Sequence, residues 1–179
     1  MTWSKKIAAL RPLLLPALLS ACATTADNAG ATFAHADIVN SSGLPAGSAV
    51  IAQSGNGMVL KLNISDLAPG VHGMHLHTAG NCESPAFTTA GAHLNPHGKL
   101  HGTANPQGSH LGDLPNITAG PDGKVEASIP LNSPATELEA FLFDTDGTAI
   151  VVHASPDDYL TDPSGNSGSR IACGVLRRG

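Results

Sequence analysis

The sequence predicts an all-β domain of about eight strands, arranged as an antiparallel Greek-key sandwich or barrel and interrupted by two long functional loops. Three observations lead there. Apolar and polar residues alternate with the period of two that a half-buried strand requires, as in Leu60, Leu62 and Ile64 against Lys61, Asn63 and Ser65. Tight-turn signals separate such runs: Ser42-Gly43-Leu44-Pro45, Ser54-Gly55-Asn56-Gly57, Pro121-Asp122-Gly123 and Asp144-Thr145-Asp146-Gly147. No stretch shows a helical period, and residues 79–112 and 154–170 are longer than ordinary connections, a length that usually marks function.

From the N terminus, residues 1–21 carry Lys5, Lys6 and Arg11 ahead of an apolar run ending Leu18-Leu19-Ser20-Ala21-Cys22, the pattern of an export signal. The run is too short, and too broken by Pro12 and Pro16, for a comfortable membrane span. Leu19-Ser20-Ala21-Cys22 resembles a bacterial lipobox, so Cys22 is expected to carry lipid and to open the mature chain. Ordinary cleavage nearby, leaving Cys22 a free thiol, is the alternative. Contact with a membrane is then expected only through this anchor, in the periplasm or at the cell surface. Residues 22–32 have no apolar pattern and read as a flexible tether. Residues 33–179 are the size of one domain. Strands are expected at 33–39, 48–53, 60–65, 71–78, 113–118, 125–131, 138–143, 148–153 and 171–175, nine candidates that merge to about eight.

Without the signal, six basic residues face fourteen acidic ones, a net charge of −8 that argues against nucleic acid as a partner. With Cys22 assigned to lipid, Cys82 and Cys173 are an even pair in an exported chain, where disulfides persist. A bond between them would close a loop of about 90 residues and contribute roughly 4–5 kcal/mol in the chain-entropy account. Two buried free thiols are the alternative.

The chemistry is concentrated in histidine. In an extended strand His75 and His77 face one way, while His72, Met74 and Leu76 face the other, so His72 reads as structural. His93, His101, His110 and Asp113 follow within 21 residues, in a stretch too rich in Gly, Pro and Asn for regular structure. His153 closes a later apolar strand. Together these make a two-metal set, in which a coil with that much nitrogen and one aspartate can wrap a single ion. His35 and His97 pair with no second ligand at metal spacing and read as exposed, and Lys99 reads as a solvated charge.

The stretches His72-Gly73-Met74-His75-Leu76-His77, Gly91-Ala92-His93-Leu94-Asn95-Pro96, His101-Gly102, His110-Leu111-Gly112-Asp113-Leu114, Val151-Val152-His153 and Gly168-Ser169-Arg170-Ile171-Ala172-Cys173-Gly174 resemble the copper,zinc superoxide dismutases of the exported bacterial lipoprotein type. The resemblance spans residues 33–177. It implies an immunoglobulin-like sandwich, a Cys82–Cys173 disulfide, copper on His75, His77, His93 and His153, and zinc on His93, His101, His110 and Asp113. His93 would bridge the two metals. Asp157, with Asp158 as adjacent competitor, sits where the family has a carboxylate linking a copper histidine to a zinc histidine.

The activity so implied is dismutation of superoxide to dioxygen and hydrogen peroxide, an antioxidant defence outside the cytoplasm. Arg170 would guide the anion, and His93 would detach from reduced copper to relay a proton. A non-enzymatic copper-binding or delivery domain on the same scaffold is the alternative, which loss of a copper ligand or of Arg170 would favour. Neither is missing. Leu94 replaces the family's common phenylalanine, and residues 154–169 hold Asp157, Asp158 and Asp162 but no lysine, so that loop offers no steering cation. The family contains monomers and differing dimers, which leaves a homodimer open.

Overall fold

The computed structural model describes residues 1–3 and 31–179. The apolar run of the expected signal, Cys22 and tether residues 22–30 lie outside the described residues. The strands are β1 (Thr32–Asn40), β2 (Pro45–Ser54), β3 (Gly57–Ile64), β4 (Gly70–His72), β5 (Met74–His77), β6 (Ile117–Ala119), β7 (Val125–Leu131), β8 (Ala149–His153), β9 (Arg170–Val175) and β10 (Arg177–Arg178). A helix, α1 (Ala135–Leu142), and a single 3-10 turn at Thr88–Ala90 complete the list of elements. One curled antiparallel sheet runs β5-β8-β9-β1-β2-β3-β7, with β10 added to β1, while β4 and β6 pair separately. The crossovers between non-consecutive neighbours give the Greek-key path expected from the sequence.

The alternation in β3 has the expected outcome: Leu60, Leu62 and Ile64 enter the core while Lys61 and Asn63 stay exposed. Each such apolar side chain contributes roughly 1.5–3 kcal/mol by leaving water. Pro130 is tolerated in β7 because that strand is the last of the main sheet, where a missing N–H breaks no ladder. Val125 and Ile129 of β7, Ile38 of β1, Ile51 of β2 and Ile150 and Val152 of β8 fill the same interior.

Four expectations need correction. Residues 138–143 are not a strand: α1 covers most of them and buries Leu138 and Leu142, four residues apart, on one helical face. Pro134 starts it, and Ala135, Glu137, Glu139 and Ala140 favour it, but a mostly apolar six-residue window is too short to show the helical period. The strand expected at 71–78 is two, because the chain changes ladders at Gly73: β4 pairs with β6 and β5 with β8. A side chain at Gly73 would bring its Cβ 2.9 Å from that of Ser167. The strand expected at 113–118 shrinks to Ile117–Ala119, since Asp113 is occupied otherwise. At the other end β1 already includes Thr32, expected as the last tether residue.

Candidate metal centre

β5 carries His75 and His77, and β8 ends in His153, whose backbone N–H donates to Gly73 O at 2.8 Å. The long loop then covers the free edge of β5. Leu76 donates to Gly112 O at 2.9 Å, Leu94 to Leu76 O at 2.8 Å and Gly112 to Leu94 O at 2.9 Å. This three-way backbone junction sets His93 beside His77 and Asp113 beside His75. Gly112 is required there, because any Cβ would run into the Leu76 carbonyl.

Donor atoms of His75, His77, His93 and His153 lie within 4.8 Å of one another, and all four residues are buried. Among the described residues, the buried side-chain polar atoms without a hydrogen-bond partner are His75 Nδ1, His77 Nε2, His93 Nε2 and His153 Nε2. The other nitrogen of three of these rings is tied: His75 Nε2–H donates to Asp157 Oδ2 at 2.7 Å, His77 Nδ1–H to Gly91 O at 2.9 Å and His153 Nδ1–H to Gly168 O at 3.2 Å. Each of those tautomers therefore presents a lone pair to the same small space.

The second set gathers on one oxygen. Asp113 Oδ1 lies 3.1 Å from His93 Nδ1, 3.0 Å from His101 Nδ1 and 3.1 Å from His110 Nδ1, and His110 Nδ1 is 3.4 Å from His93 Nδ1. Donors on a tetrahedral zinc with bonds near 2.0–2.1 Å stand about 3.3 Å apart, so the spacing fits. Donor atoms of His75, His93, His101 and Asp113 also lie within 4.8 Å of one another. That follows from the stacking of the His75 ring on His93, centroids 3.9 Å apart, but His75 Nε2 is bonded to Asp157 and its unpartnered Nδ1 belongs to the first set, so His110, whose Nδ1 faces Asp113, is the better fourth donor. Asp113 Oδ2 is free of the cluster and accepts from the N–H of Gly102 at 2.8 Å and of His110 at 3.0 Å.

Asp157 joins the two sets. Its Oδ2 accepts from His75 as above, and its Oδ1 accepts from His101 Nε2–H at 3.0 Å and from Tyr159 N–H at 2.6 Å. Asp158, the competitor, is exposed and bonds to Thr161, Leu160 and Asn166. Two supports of Asp157 escaped sequence reading. The Asn116 side-chain amide donates to Asp157 O and accepts from Asp157 N–H, both at 2.9 Å. The Tyr159 hydroxyl accepts from Asn116 N–H at 2.7 Å. Gly165 lies under Asp157 with φ +63, and a Cβ there would collide with the carboxylate. No spacing rule in the sequence points to Asn116, Tyr159 or Gly165.

Burial lowers the pKa of His77 from 6.5 to about 2 and of His153 to about 3, and the neighbouring imidazoles and Arg170 add to it. Burial also lowers His93, to about 4, against the opposing pull of Asp113. All three are neutral near pH 7, as ligation requires. Burial opposes ionisation of Asp113, but the hydrogen bonds from His93 and Gly102 outweigh it and hold the carboxyl well below its usual range. Asp157 behaves likewise, with His75, His101 and Tyr159 as its stabilisers.

Cys82 and Cys173 form a disulfide, with Cα atoms 5.7 Å apart. Three residues before Cys173, Arg170 donates to Phe87 O and Gly91 O, each at 2.6 Å. Gly91 O thus serves both Arg170 and the ring of His77. Burial lowers the arginine's pKa, yet a guanidinium keeps its charge at neutral pH. His72 is buried outside the cluster, its two ring nitrogens 2.8 Å from His153 O and Ala68 O, in the structural role expected of it. His35 is exposed as expected. His97 is exposed but not unpaired, since its Nε2 lies 2.9 Å from Glu137 Oε1. No described helix is long and apolar enough to cross a membrane.

Residues 45–176 match the copper/zinc superoxide dismutase family. The chain is 42% identical over 147 residues to a copper-zinc superoxide dismutase of Aquifex aeolicus, covering 80% of this chain and 86% of that one. It is similar to the crystal structure of a superoxide dismutase-like protein from Bacillus subtilis, with 39% identity, a TM-score of 0.76, and 82% of this chain and 100% of that chain covered. It is also similar to the copper/zinc superoxide dismutase of Brucella abortus, at 29% identity and a TM-score of 0.65, over 80% of this chain and 98% of that one. The chain therefore belongs to the copper/zinc superoxide dismutase family, an oxidoreductase class with copper and zinc as cofactors.

Proposed function

We propose that this chain dismutes superoxide outside the cytoplasm, with copper held by His75 Nδ1, His77 Nε2, His93 Nε2 and His153 Nε2, and zinc by the Nδ1 atoms of His93, His101 and His110 and by Asp113 Oδ1. The observation that carries the reading is the coincidence of the four unpartnered buried nitrogens with the four expected copper ligands. Leaving such groups unpaired costs about 1–3 kcal/mol each, which a metal relieves. When bound, copper supplies one-electron redox change and zinc a fixed dication that tunes the shared imidazole.

The protein's part follows from its own groups. Arg170 holds a positive charge beside the copper-side nitrogens, fixed by two carbonyls, and draws the anion inward. His93 faces one donor set with each ring nitrogen, so its Nε2 can take a proton while Nδ1 stays on the zinc side. Two superoxide anions and two protons yield one dioxygen and one hydrogen peroxide, so a proton carrier at the site is needed. Asp157, held by Asn116 and Tyr159, keeps His75 and His101 in the tautomers that point lone pairs at the metals.

Export is part of the same proposal. The signal-like residues 1–21 and the disulfide support it, with Cys22 lipidated as the anchor of a periplasmic or cell-surface protein. Intact mass of membrane-extracted chain should show acylation at Cys22, and a soluble unmodified product would refute the anchor. For the activity, the metal-loaded chain should consume superoxide catalytically. A chain holding both metals without turnover would instead be a copper-holding domain.

A further inference from the structure

We propose that the cavity on the zinc side of the centre is the entry route for the divalent cation that ends on His93, His101, His110 and Asp113, with His97 and Glu137 as its first, transient ligands. The proposal rests on the zinc assignment above. A cavity of about 450 Å³ is lined by His97, Glu137, His110, Asp113 and Tyr159, among others. Exposure falls along it: the side chains of His97 and Glu137 are 49% and 27% exposed, and those of His110 and Asp113 6% and 2%. The first pair is therefore the mouth and the second the floor.

His110 is the donor that can open. His101 is tied through Nε2 to Asp157, His93 is held between the two donor sets, and Asp113 is fixed by the N–H of Gly102 and of His110. The polar contacts of the His110 ring run through Nδ1 alone, and its Nε2 is neither hydrogen-bonded nor enclosed, which places that edge of the ring toward the cavity. Its rotation would uncover the other three donors without breaking any bond that holds them.

Charge selects the traffic. The formal charges among the described residues lining the cavity are the carboxylates of Asp113 and Glu137, with no lysine or arginine. Cations are favoured there and anions are not, the reverse of the face that carries Arg170. At the mouth His97 Nε2 and Glu137 Oε1 are 2.9 Å apart, a spacing close to that of the donors on the floor, and the His97 ring rests edge-on against Phe141 with centroids 5.8 Å apart. An imidazole and a carboxylate can replace two waters of a hydrated zinc ion, but two ligands cannot retain it against four. The pair hands the ion on.

The test uses the full chain, demetallated with its disulfide intact and mixed with zinc sulfate in a stopped-flow instrument against a chromophoric zinc indicator. Release is followed with a chelator, and final content by elemental analysis. In His97→Ala with Glu137→Gln, uptake and release should both slow by about tenfold, with zinc content and affinity unchanged, since a route alters both rates alike. Glu126→Gln, the same loss of charge on β7 outside the cavity, should leave both rates at the parent value. Unchanged uptake in the double variant would overturn the route, and so would slower uptake with unchanged or faster release, which marks a role in holding the final site. If the parent chain itself retained no zinc at equilibrium, the zinc assignment would fail. If it retained one and the double variant filled as fast, only the entry route would fail.

Discussion

The copper-side and zinc-side donor sets share His93 and little else. The first is four neutral nitrogens, three of them on β5 and β8, with nothing to satisfy them among the described residues. The second lies on one loop around the Asp113 carboxylate, one oxygen of which faces three imidazole nitrogens while the other accepts from two backbone N–H groups. Strands can hold unpaired lone pairs together because the ladders, not the ligands, fix their geometry. A Gly- and Pro-rich loop cannot, and needs a charge at its centre. Arg170 near the first set and Glu137 in the cavity beside the second carry opposite charges, which is the contrast that the proposed anion and cation routes rest on.

The largest effect should come from the charge that organises the loop. Asp113→Ala should lower zinc affinity by more than about a hundredfold, since it removes a ligand and not merely a supporting group, and copper should remain bound by its strand ligands. Zinc content equal to the parent's by elemental analysis would break the distinction between the two sets. On the other face, Arg170→Ala with both metals present should lose about tenfold in superoxide turnover, and Arg170→Glu more, because a local charge is felt where distant acids are screened beyond a Debye length of about 8 Å. A fully loaded Arg170→Glu chain with parental turnover would remove the residue from the mechanism.

Gly165→Ala sharpens the link between the sets. The added methyl must displace Asp157, so both His75 and His101 lose their orienting acceptor, and metal affinity should fall by about 10–100-fold at each set. Loss at one set alone would show that Asp157 serves only that set. The pH response is subtler. His77, His93 and His153 have pKa values of about 2, 4 and 3 against 6.5 unfolded, so the unfolded chain binds more protons in this range. Their contribution is fully present above pH 6.5 and is lost as pH falls through those folded values. Thermal melts of the metal-free chain should therefore drop from pH 6.5 toward pH 4, and a flat profile would place these nitrogens in water. The smallest effect belongs to Asp158→Asn, whose carboxylate bonds only to exposed neighbours, so metal content and turnover should stay at the parent level.

Much of this centre was legible in the sequence because its chemistry depends on residue type. A histidine pair at strand spacing and a histidine-rich loop closed by Asp113 announce themselves, and the family resemblance adds Arg170, three residues before Cys173. Helix α1 was missed because Leu138–Phe143 is a short, mostly apolar run that fixes no period, and packing of Leu138 and Leu142 in the core decides for the helix. Asn116 and Tyr159 were missed because their function is to hold the backbone of Asp157, and an amide or a phenol serves thousands of other surroundings equally well.

What the sequence by itself determined was the donor inventory and the alternation that makes strands, while motif position narrowed the linking carboxylate to Asp157 or Asp158 and left the structure to decide between them. Only the tertiary structure decided which nitrogen of each ring faces the centre, because a tautomer is chosen by what the other nitrogen meets: Asp157, Gly91 O or Gly168 O, each brought in from a different part of the chain. It also decided that His97 has a partner. Glu137 lies 40 residues away, and nothing short of folding α1 against the zinc-side loop could place the two side by side.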